Sequence, residues 1–342
     1  MLMENPHPGP LPYGKGEGDS SSPCLRGEDQ EPVLSLPKDE GQSRRMLFSS
    51  MMLCVRFGHR VRQKGTVMKI SVFGLGIIGS IWADNLHRDG HDVCGWNRTR
   101  KDLPFFTSDA CAAAKDAEII IIVVADPPAV QNVLDQILPV LHAGQVVIQS
   151  STISPRASRD FAEQVQRTGA AFLEVPFTGS KPAAEQRKLV FYIGGDEKVL
   201  AKVRPVLERL SSTIMHIGPI GSASALKLAM NVNIALVAQG LSESLTFARA
   251  AGISDDTYFA ALKLNVSNSG LAALKETKLR TNDFSPQFSL KHMAKDLRLA
   301  LETARDMKLP QSQNVMRIYE EGLKCGWGDE DFTVLMRLLK QV

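Results

Sequence analysis

Paired cysteines are missing from this sequence. The five present, Cys24, Cys54, Cys94, Cys111 and Cys325, are odd in number and scattered, with none of the spacings that bind zinc or build a disulfide framework. Reduced thiols and a cytoplasmic location are the expectation. Charge of one sign is equally scarce: 40 Lys and Arg stand against 37 Asp and Glu, a formal net charge of +3. So small and evenly spread an excess argues against a nucleic-acid or anionic-membrane partner and leaves small charged metabolites as the expected ligands. No uninterrupted apolar run comes near the roughly 20 residues that cross a bilayer, so no membrane segment is expected. The amino terminus, MLMENPHPGPLPYGKGEGDSSSPC, has no basic stretch followed by an apolar one, and its early acids argue against a mitochondrial presequence. His87 and His91 are spaced like a metal pair on a helix, but Gly90 falls between them and no carboxylate cluster completes a shell, so no metal is expected.

What is present is ordinary globular material, 44% hydrophobic and 23% charged over 342 residues, long enough for two domains. Residues 1–67 stand apart. Seven of the 18 prolines lie between Pro6 and Pro37, mixed with Gly, Ser and charge, and no helical or alternating apolar period survives there. A disordered or non-native extension is the expectation, with Met68 as the natural start because it directly precedes the first buried strand. The interleaved apolar and arginine residues of Met46 to Arg62 allow a second reading, a membrane-surface or partner-binding helix.

From Lys69 the residues KISVF are short, apolar and β-branched, as a parallel strand covered on both faces requires. Gly74, Gly76 and Gly79 follow. In a dinucleotide-binding unit the first glycine permits the tight turn, the second lets backbone approach a pyrophosphate, and the third lets the next helix pack closely on the strand. That helix, SIWADNLHRDG, closes with Gly90, and its N-terminal N–H groups would face the phosphates. Gly74, Leu75, Gly76, Ile77, Ile78 and Gly79 are therefore the expected cofactor contacts. The end of the second strand, HDVCGWN, is where an acidic residue would accept bonds from an NAD ribose. Here stand Asn97, Arg98 and Thr99 instead. An amide beside a guanidinium removes repulsion toward a 2′-phosphate and supplies a forked donor, so NADP is expected over NAD; a solvated turn is the bland alternative. AEIIIIVVADPPAV reads as a buried strand broken at Asp126-Pro127-Pro128, and GQVVIQSSTISP as another that ends in a hydroxyl-rich loop, making Thr152 a site candidate.

Four blocks in order, spanning Met68 to the carboxyl terminus, resemble the β-hydroxyacid dehydrogenase family: GLGIIGSIWADNL, FLEVPFTGSKPAAEQRKLVFYIGGD, GSASALKLAMNVN and FSLKHMAKDLRLAL. The resemblance implies a 6-phosphogluconate dehydrogenase-like architecture in the α/β class: an N-terminal doubly wound Rossmann domain over 68–219 and an all-helical domain for substrate and dimerisation over 220–342. It implies Lys227 as general acid and Asn231 as the amide that orients substrate. Their spacing makes sense by itself, since residues four apart share a helix face. Thr152 falls at the family's hydroxyl near the nicotinamide, Phe288 at a pocket-lining residue, Lys295 at a cofactor or substrate contact, and Asp296 beside it as a substrate-binding residue. Thr178, Gly179 and Ser180 take the position of the substrate-carboxylate loop. Three departures touch that loop: Thr178 stands where the family has serine, Ser180 for its second glycine, and Arg187 where a glycine is usual.

The function these residues imply is a reductase, NADPH-dependent and reversible, of a small carboxylate-bearing semialdehyde or 2-oxo acid, assembled as a homodimer or homotetramer as is usual in the family. An imine reductase and a non-catalytic NADP-binding module are the alternatives, and a retained Lys227 argues against both. Glu243, on the same long helix, reads as a solvated or helix-paired carboxylate, and Trp327 as an apolar anchor between the last helices.

Overall fold

The computed structural model describes residues 66–339, all within one compact unit, Arg62–Val342. Most of the amino-terminal extension, including Met46 to Arg62, lies outside the described residues.

Four isoleucines in a row show how the sheet was built. β1 (Lys69–Phe73) pairs in parallel with β2 (Asp92–Trp96) on one side and on the other with β4 (Ile119–Ile122), which continues to β5 (Val146–Gln149) and β6 (Ala171–Glu174). Side chains alternate across a strand, so Ile119 and Ile121 enter one core while Ile120 and Ile122 enter another. The first core packs under α1 (Ile77–Arg88) and α6 (Glu197–Leu207), through Trp82, Leu86, Leu200 and Val203. The second packs under α2 (Ala110–Lys115), α3 (Pro127–Ile137) and α4 (Pro155–Gln166), through Ala113, Val130, Leu134 and Phe161. Helices on both faces make the sheet doubly wound, and its parallel part runs β3-β2-β1-β4-β5-β6, β3 being Phe106–Thr107. At the far edge the sheet is not parallel: β8 (Leu189–Gly194) runs antiparallel to β6 and to β7 (Phe177–Thr178), and α5 (Lys181–Glu185) fills the connection. β9 (Ser211–Gly218) then pairs with β8 in parallel.

The Asp126-Pro127-Pro128 break is a helix start. Asp126 Oδ1 accepts from Ala129 N at 2.9 Å and the prolines occupy the first turn, where no N–H is needed. Ser154 caps α4 in the same way. At the end of α1, Gly90 takes φ +90° one residue past the cap, the left-handed position that closes a helix. His87 rests against the Phe105 ring and His91 Nδ1 accepts from Met68 N, so the two imidazoles point to different neighbours.

After β9 every described element is helical. α7 (Ser222–Ala250) is 29 residues, about 43 Å long, and runs from β8 into a layer formed by α8 (Asp255–Leu264), α9 (Gly270–Thr281), α10 (Leu290–Thr303), α11 (Pro310–Lys324) and a 3₁₀ segment, Phe332–Leu339. Among the described residues α7 is the helix long and apolar enough to cross a membrane, and 44% of its most apolar window is buried inside the protein. Its inward side meets Leu290, Met293, Leu297, Tyr319 and Phe332 in the core of the helical layer. Trp327 packs on the edge of that core with the Arg337 guanidinium 5.5 Å from its ring. Glu243 is exposed and accepts from Gln239 one turn earlier, a helix-paired carboxylate.

Candidate active site

The three glycines of the first turn have three different physical reasons. Gly74 has φ +104°, and a Cβ there would fall 2.2 Å from Val123 O. A Cβ on Gly79 would lie 1.8 Å from Gly74 O, so the helix could not approach the turn. A Cβ on Gly76 would meet no described atom within 4 Å beyond its own neighbours in the chain, and as N-cap of α1 the glycine offers no side chain to the first N–H groups. Those donors thus face open space beside the half-buried Ile78 and exposed Ile77, the arrangement a pyrophosphate needs.

At the C-terminal ends of β2 and β3 lies a cavity of about 730 Å³, lined by Trp96, Asn97, Arg98, Arg100, Phe106 and Asn132 among others. Asn97 does more than avoid repulsion. Its Oδ1 accepts from Leu75 N at 3.1 Å and its Nδ2 donates to Thr99 O at 2.7 Å, so it ties the end of β2 to the glycine turn. Arg98 and Arg100 are exposed at the rim, and neither has an acidic partner among the described residues. An uncapped helix, an open glycine and two unpaired guanidiniums beside one cavity fit a phosphorylated dinucleotide.

Lys227 and Asn231 lie on α7, and Lys295 and Asp296 on α10. Asn231 Nδ2 donates to Asp296 Oδ2 at 2.5 Å, both side chains being buried. Lys295 Nζ pairs with Asp296 Oδ1 at 3.0 Å and donates to Ala125 O at 3.0 Å and Thr152 O at 2.8 Å, the loops that follow β4 and β5. One chain of contacts therefore joins α7, α10 and the crevice of the sheet, bringing Asn231, Asp296, Lys295 and Thr152 together. Asp296 is committed to its two neighbours rather than turned outward. Lys227 is half-buried. Desolvation lowers its pKa to about 8; Asp296 opposes that shift and Lys295 adds to it. An amine in this range gives up and takes back a proton near neutral pH.

Sequence reasoning assigned no role to Glu174. At the end of β6 it is buried at 1% exposure, and its Oε1 accepts from Gly221 N and Ala223 N, both at 2.7 Å. Its Oε2 accepts from Ser158 Oγ at 2.5 Å and Ser224 Oγ at 2.7 Å. A carboxylate thus caps α7, whose own N-cap, Gly221, has no side chain. A lone acid inside the apolar run AFLEVPF was the available signal.

The expected carboxylate loop begins at Thr178, half-buried beside Val190. Gly179 has φ +120°, and a Cβ would meet Leu189 Cδ2 at 2.7 Å, so this glycine is required. Ser180 precedes α5 and makes no capping bond to it. Arg187 keeps the left-handed conformation that glycine would take, φ +58°, a strained choice for a side chain. Its guanidinium offsets that strain by pairing with Asp89 at 2.6 Å and donating to Asn85 O at 3.2 Å, both at the C-terminal end of α1.

Phe288 stands two residues before α10, half-buried. Its ring lies near-parallel to His292, 16° apart with centroids at 6.2 Å, and edge-on to Phe332 at 6.4 Å. Its N–H donates to Asp331 Oδ2 at 3.3 Å. Asp331 is itself fully buried and paired with Lys275 at 2.8 Å. Neither His292 nor this ion pair was singled out from sequence.

Both halves of the chain resemble known proteins. Residues 69–218 match the family model of the NAD-binding domain of 6-phosphogluconate dehydrogenase, and residues 221–339 that of the NAD-binding region of NADP-dependent 3-hydroxyisobutyrate dehydrogenase. An uncharacterized oxidoreductase of Synechocystis is 30% identical over 80% of this chain and 99% of its own. Chloroplastic glyoxylate/succinic semialdehyde reductase 2 of Arabidopsis thaliana is 28% identical over 81% of this chain and 80% of its own. The structure of Mycobacterium tuberculosis 3-hydroxyisobutyrate dehydrogenase with L-serine superposes with a TM-score of 0.74 at 26% identity, over 80% of this chain and all of that one.

Proposed function

Given that the chain belongs to the β-hydroxyacid dehydrogenase family and is an NAD(P)-dependent enzyme acting on small hydroxy acids or semialdehydes, we propose that it is an NADPH-dependent reductase of a small semialdehyde or 2-oxo acid, with Lys227 as general acid. The observation that carries this reading is the amine of Lys227, with a pKa of about 8, set beside the buried Asn231–Asp296 pair.

Bound NADPH supplies the hydride. As hydride reaches the carbonyl carbon, negative charge grows on the carbonyl oxygen; Lys227 stabilises that oxygen and gives it the proton, and in the oxidative direction the neutral amine takes the proton back. Asn231 orients the substrate, and Asp296 holds Asn231. Thr178, Gly179 and Ser180 receive the substrate carboxylate, with Phe288 as an apolar wall and Thr152 beside the reacting carbon. Lys295, bonded to Ala125 O and Thr152 O, keeps the helical layer closed on the crevice. The glycine turn from Gly74 to Gly79 would hold the pyrophosphate, and Arg98 the 2′-phosphate. On this reading 68–219 is the cofactor domain, 220–342 the substrate and dimerisation domain, and the working protein a cytoplasmic homodimer or homotetramer.

Glyoxylate, succinic semialdehyde, tartronate semialdehyde and methylmalonate semialdehyde, each followed by NADPH and NADH absorbance, test the proposal, with a cyclic imine as control. Turnover of at least one acid with NADPH is expected, and none with the imine. Imine turnover alone, or cofactor binding without any turnover, would overturn it.

A further inference from the structure

His292 occupies the first turn of α10, one turn ahead of Lys295 and Asp296 and on the same side of the helix. Its ring is half-buried, stacked at 16° on Phe288, while Nδ1 shares a 2.7 Å hydrogen bond with Ser289 Oγ. Ser289 is the N-cap of α10 but makes no capping bond, so its hydroxyl serves the imidazole instead. Phe288 is held from three directions: by His292 on its face, by Phe332 at its edge, and by Asp331 at its backbone N–H. Of the three, His292 is the one whose ring can gain a charge on the acid side of neutrality. The charges around it are Lys291, Lys295 and Asp296 on its own helix and Asp329 from the carboxyl-terminal segment packed against it.

We propose that His292 is a positioning residue for an anionic substrate: its ring fixes Phe288 as the pocket wall, and its protonation strengthens the attraction of the pocket mouth for a carboxylate. This inference rests on the reductase reading above. Burial, then Lys295 and Lys291, push the imidazole below its ordinary value, with Asp296 and Asp329 opposing. It is therefore neutral at pH 8, where the ring acts through Phe288 alone, and becomes cationic on the acid side. An incoming carboxylate favours the cation, so substrate and proton bind together, each raising the affinity of the other.

His292→Phe keeps a flat ring and removes the charge; His292→Ala removes both. With NADPH and glyoxylate, His292→Ala should raise the glyoxylate KM about 5-fold at pH 8, the weight of one lost aromatic contact, with kcat and the NADPH KM unchanged. His292→Phe should match wild type at pH 8 but lose the fall in KM that wild type shows as pH drops toward 5. A merely structural role would lower kcat and thermal stability together and leave the pH dependence of KM intact. The second readout needs no turnover. In the NMR titration of the histidine Cε1–H signals, the one absent from His292→Phe should shift its midpoint to higher pH when NADP⁺ and oxamate, an unreactive 2-oxo acid analogue, are added. Overturning results are a KM for His292→Ala within 2-fold of wild type, a wild-type pH dependence in His292→Phe, or an unmoved NMR midpoint. If wild type reduces no carbonyl acid, the reductase reading fails while the NMR titration still decides the role of His292.

Discussion

Asn231 on α7 donates its amide N–H to Asp296 on α10 at 2.5 Å, and neither side chain is more than 2% exposed. That bond fixes the amide one helical turn from Lys227, and the carboxylate raises the Lys227 pKa against the desolvation that lowers it. Asp296→Asn should therefore move the alkaline limit of the reductive reaction to lower pH, because the amine loses a proton more readily without its anionic neighbour. It should also lower kcat/KM at pH 8 by about tenfold, the weight of a lost hydrogen bond to a charged group. Rate profiles from pH 6 to 10 measure both; an unmoved limb would separate Asp296 from the amine.

With a pKa of about 8, Lys227 is mostly protonated at pH 7. Reduction needs the ammonium and oxidation the free amine. The kcat/KM for carbonyl reduction should fall about tenfold per pH unit above pH 8, while that for alcohol oxidation rises through the same range and levels off. Lys227→Ala should lower kcat by about 10²-fold or more, with NADPH binding by fluorescence titration kept.

The same amine predicts a gain in stability. Its folded pKa of about 8 lies below its ordinary 10.5, so below pH 8 both folded and unfolded states carry the proton and the whole penalty of placing the charge there opposes folding. The penalty fades as pH rises from 8 toward 10.5, where only the unfolded state holds the proton. Lys227→Met should stabilise the protein at pH 7 by up to about 3 kcal/mol while abolishing turnover, with the gain shrinking by pH 10. Urea unfolding at the two pH values checks it.

Gly76 and Gly79 belong to one motif but should fail differently. A methyl group on Gly76 meets no described atom beyond its chain neighbours, so Gly76→Ala should leave the unfolding midpoint within a degree or so and weaken NADPH binding roughly tenfold or more, the methyl occupying the phosphate's space. On Gly79 it would lie 1.8 Å from Gly74 O, so Gly79→Ala should destabilise by about 2 kcal/mol or more through forced backbone movement. Calorimetry and cofactor titration on the two variants separate the roles.

Arg98 lines the cavity and has no acidic partner among the described residues. Arg98→Ala should weaken NADPH by about 1.5–3 kcal/mol, the value of a charge-assisted contact, and change NADH binding less than 2-fold. Equal losses for both cofactors would place Arg98 elsewhere than at a 2′-phosphate.

Much of this architecture was legible because it rests on local chemistry. The buried isoleucines of β4, the glycine turn, and the apolar character of α7 each announce their place through residue type and spacing. The site was legible to the extent that motif spacing carries it: Lys227 and Asn231 are four apart on one helix, and Lys295 and Asp296 adjacent on another. What spacing cannot show is which partner a side chain reaches across the fold. Asp296 faces Asn231 across 65 positions of sequence, and Asn97 closes back on Leu75. The antiparallel β8 edge also escaped, since short apolar strands read alike in either direction. Arg187 looked like a disturbance of the substrate loop, yet Asp89 and Asn85, on a helix about a hundred residues earlier, hold it in the glycine-like conformation.

Glu174 joins the two layers, and its removal should show how much the site depends on that joint. Its carboxylate serves as the cap of α7, and Lys227 lies three residues beyond Ser224, the last of the bonded positions. Glu174→Ala leaves the N–H groups of Gly221 and Ala223 and the hydroxyls of Ser158 and Ser224 without their acceptor, at a cost of about 3 kcal/mol or more. Glu174→Gln keeps an oxygen for the backbone donors, and both hydroxyls can rotate to accept from the amide, so a loss of about 1 kcal/mol is expected. Gly194→Ala attacks the same joint from β8, because its methyl would lie 2.1 Å from Glu174 Oε1. In the folded fraction of Glu174→Ala and Gly194→Ala, kcat should fall while NADPH affinity holds, since the glycine turn is untouched and the amine is displaced from its target. Equal loss of cofactor affinity would mean that Glu174 supports the sheet as a whole rather than the placement of Lys227.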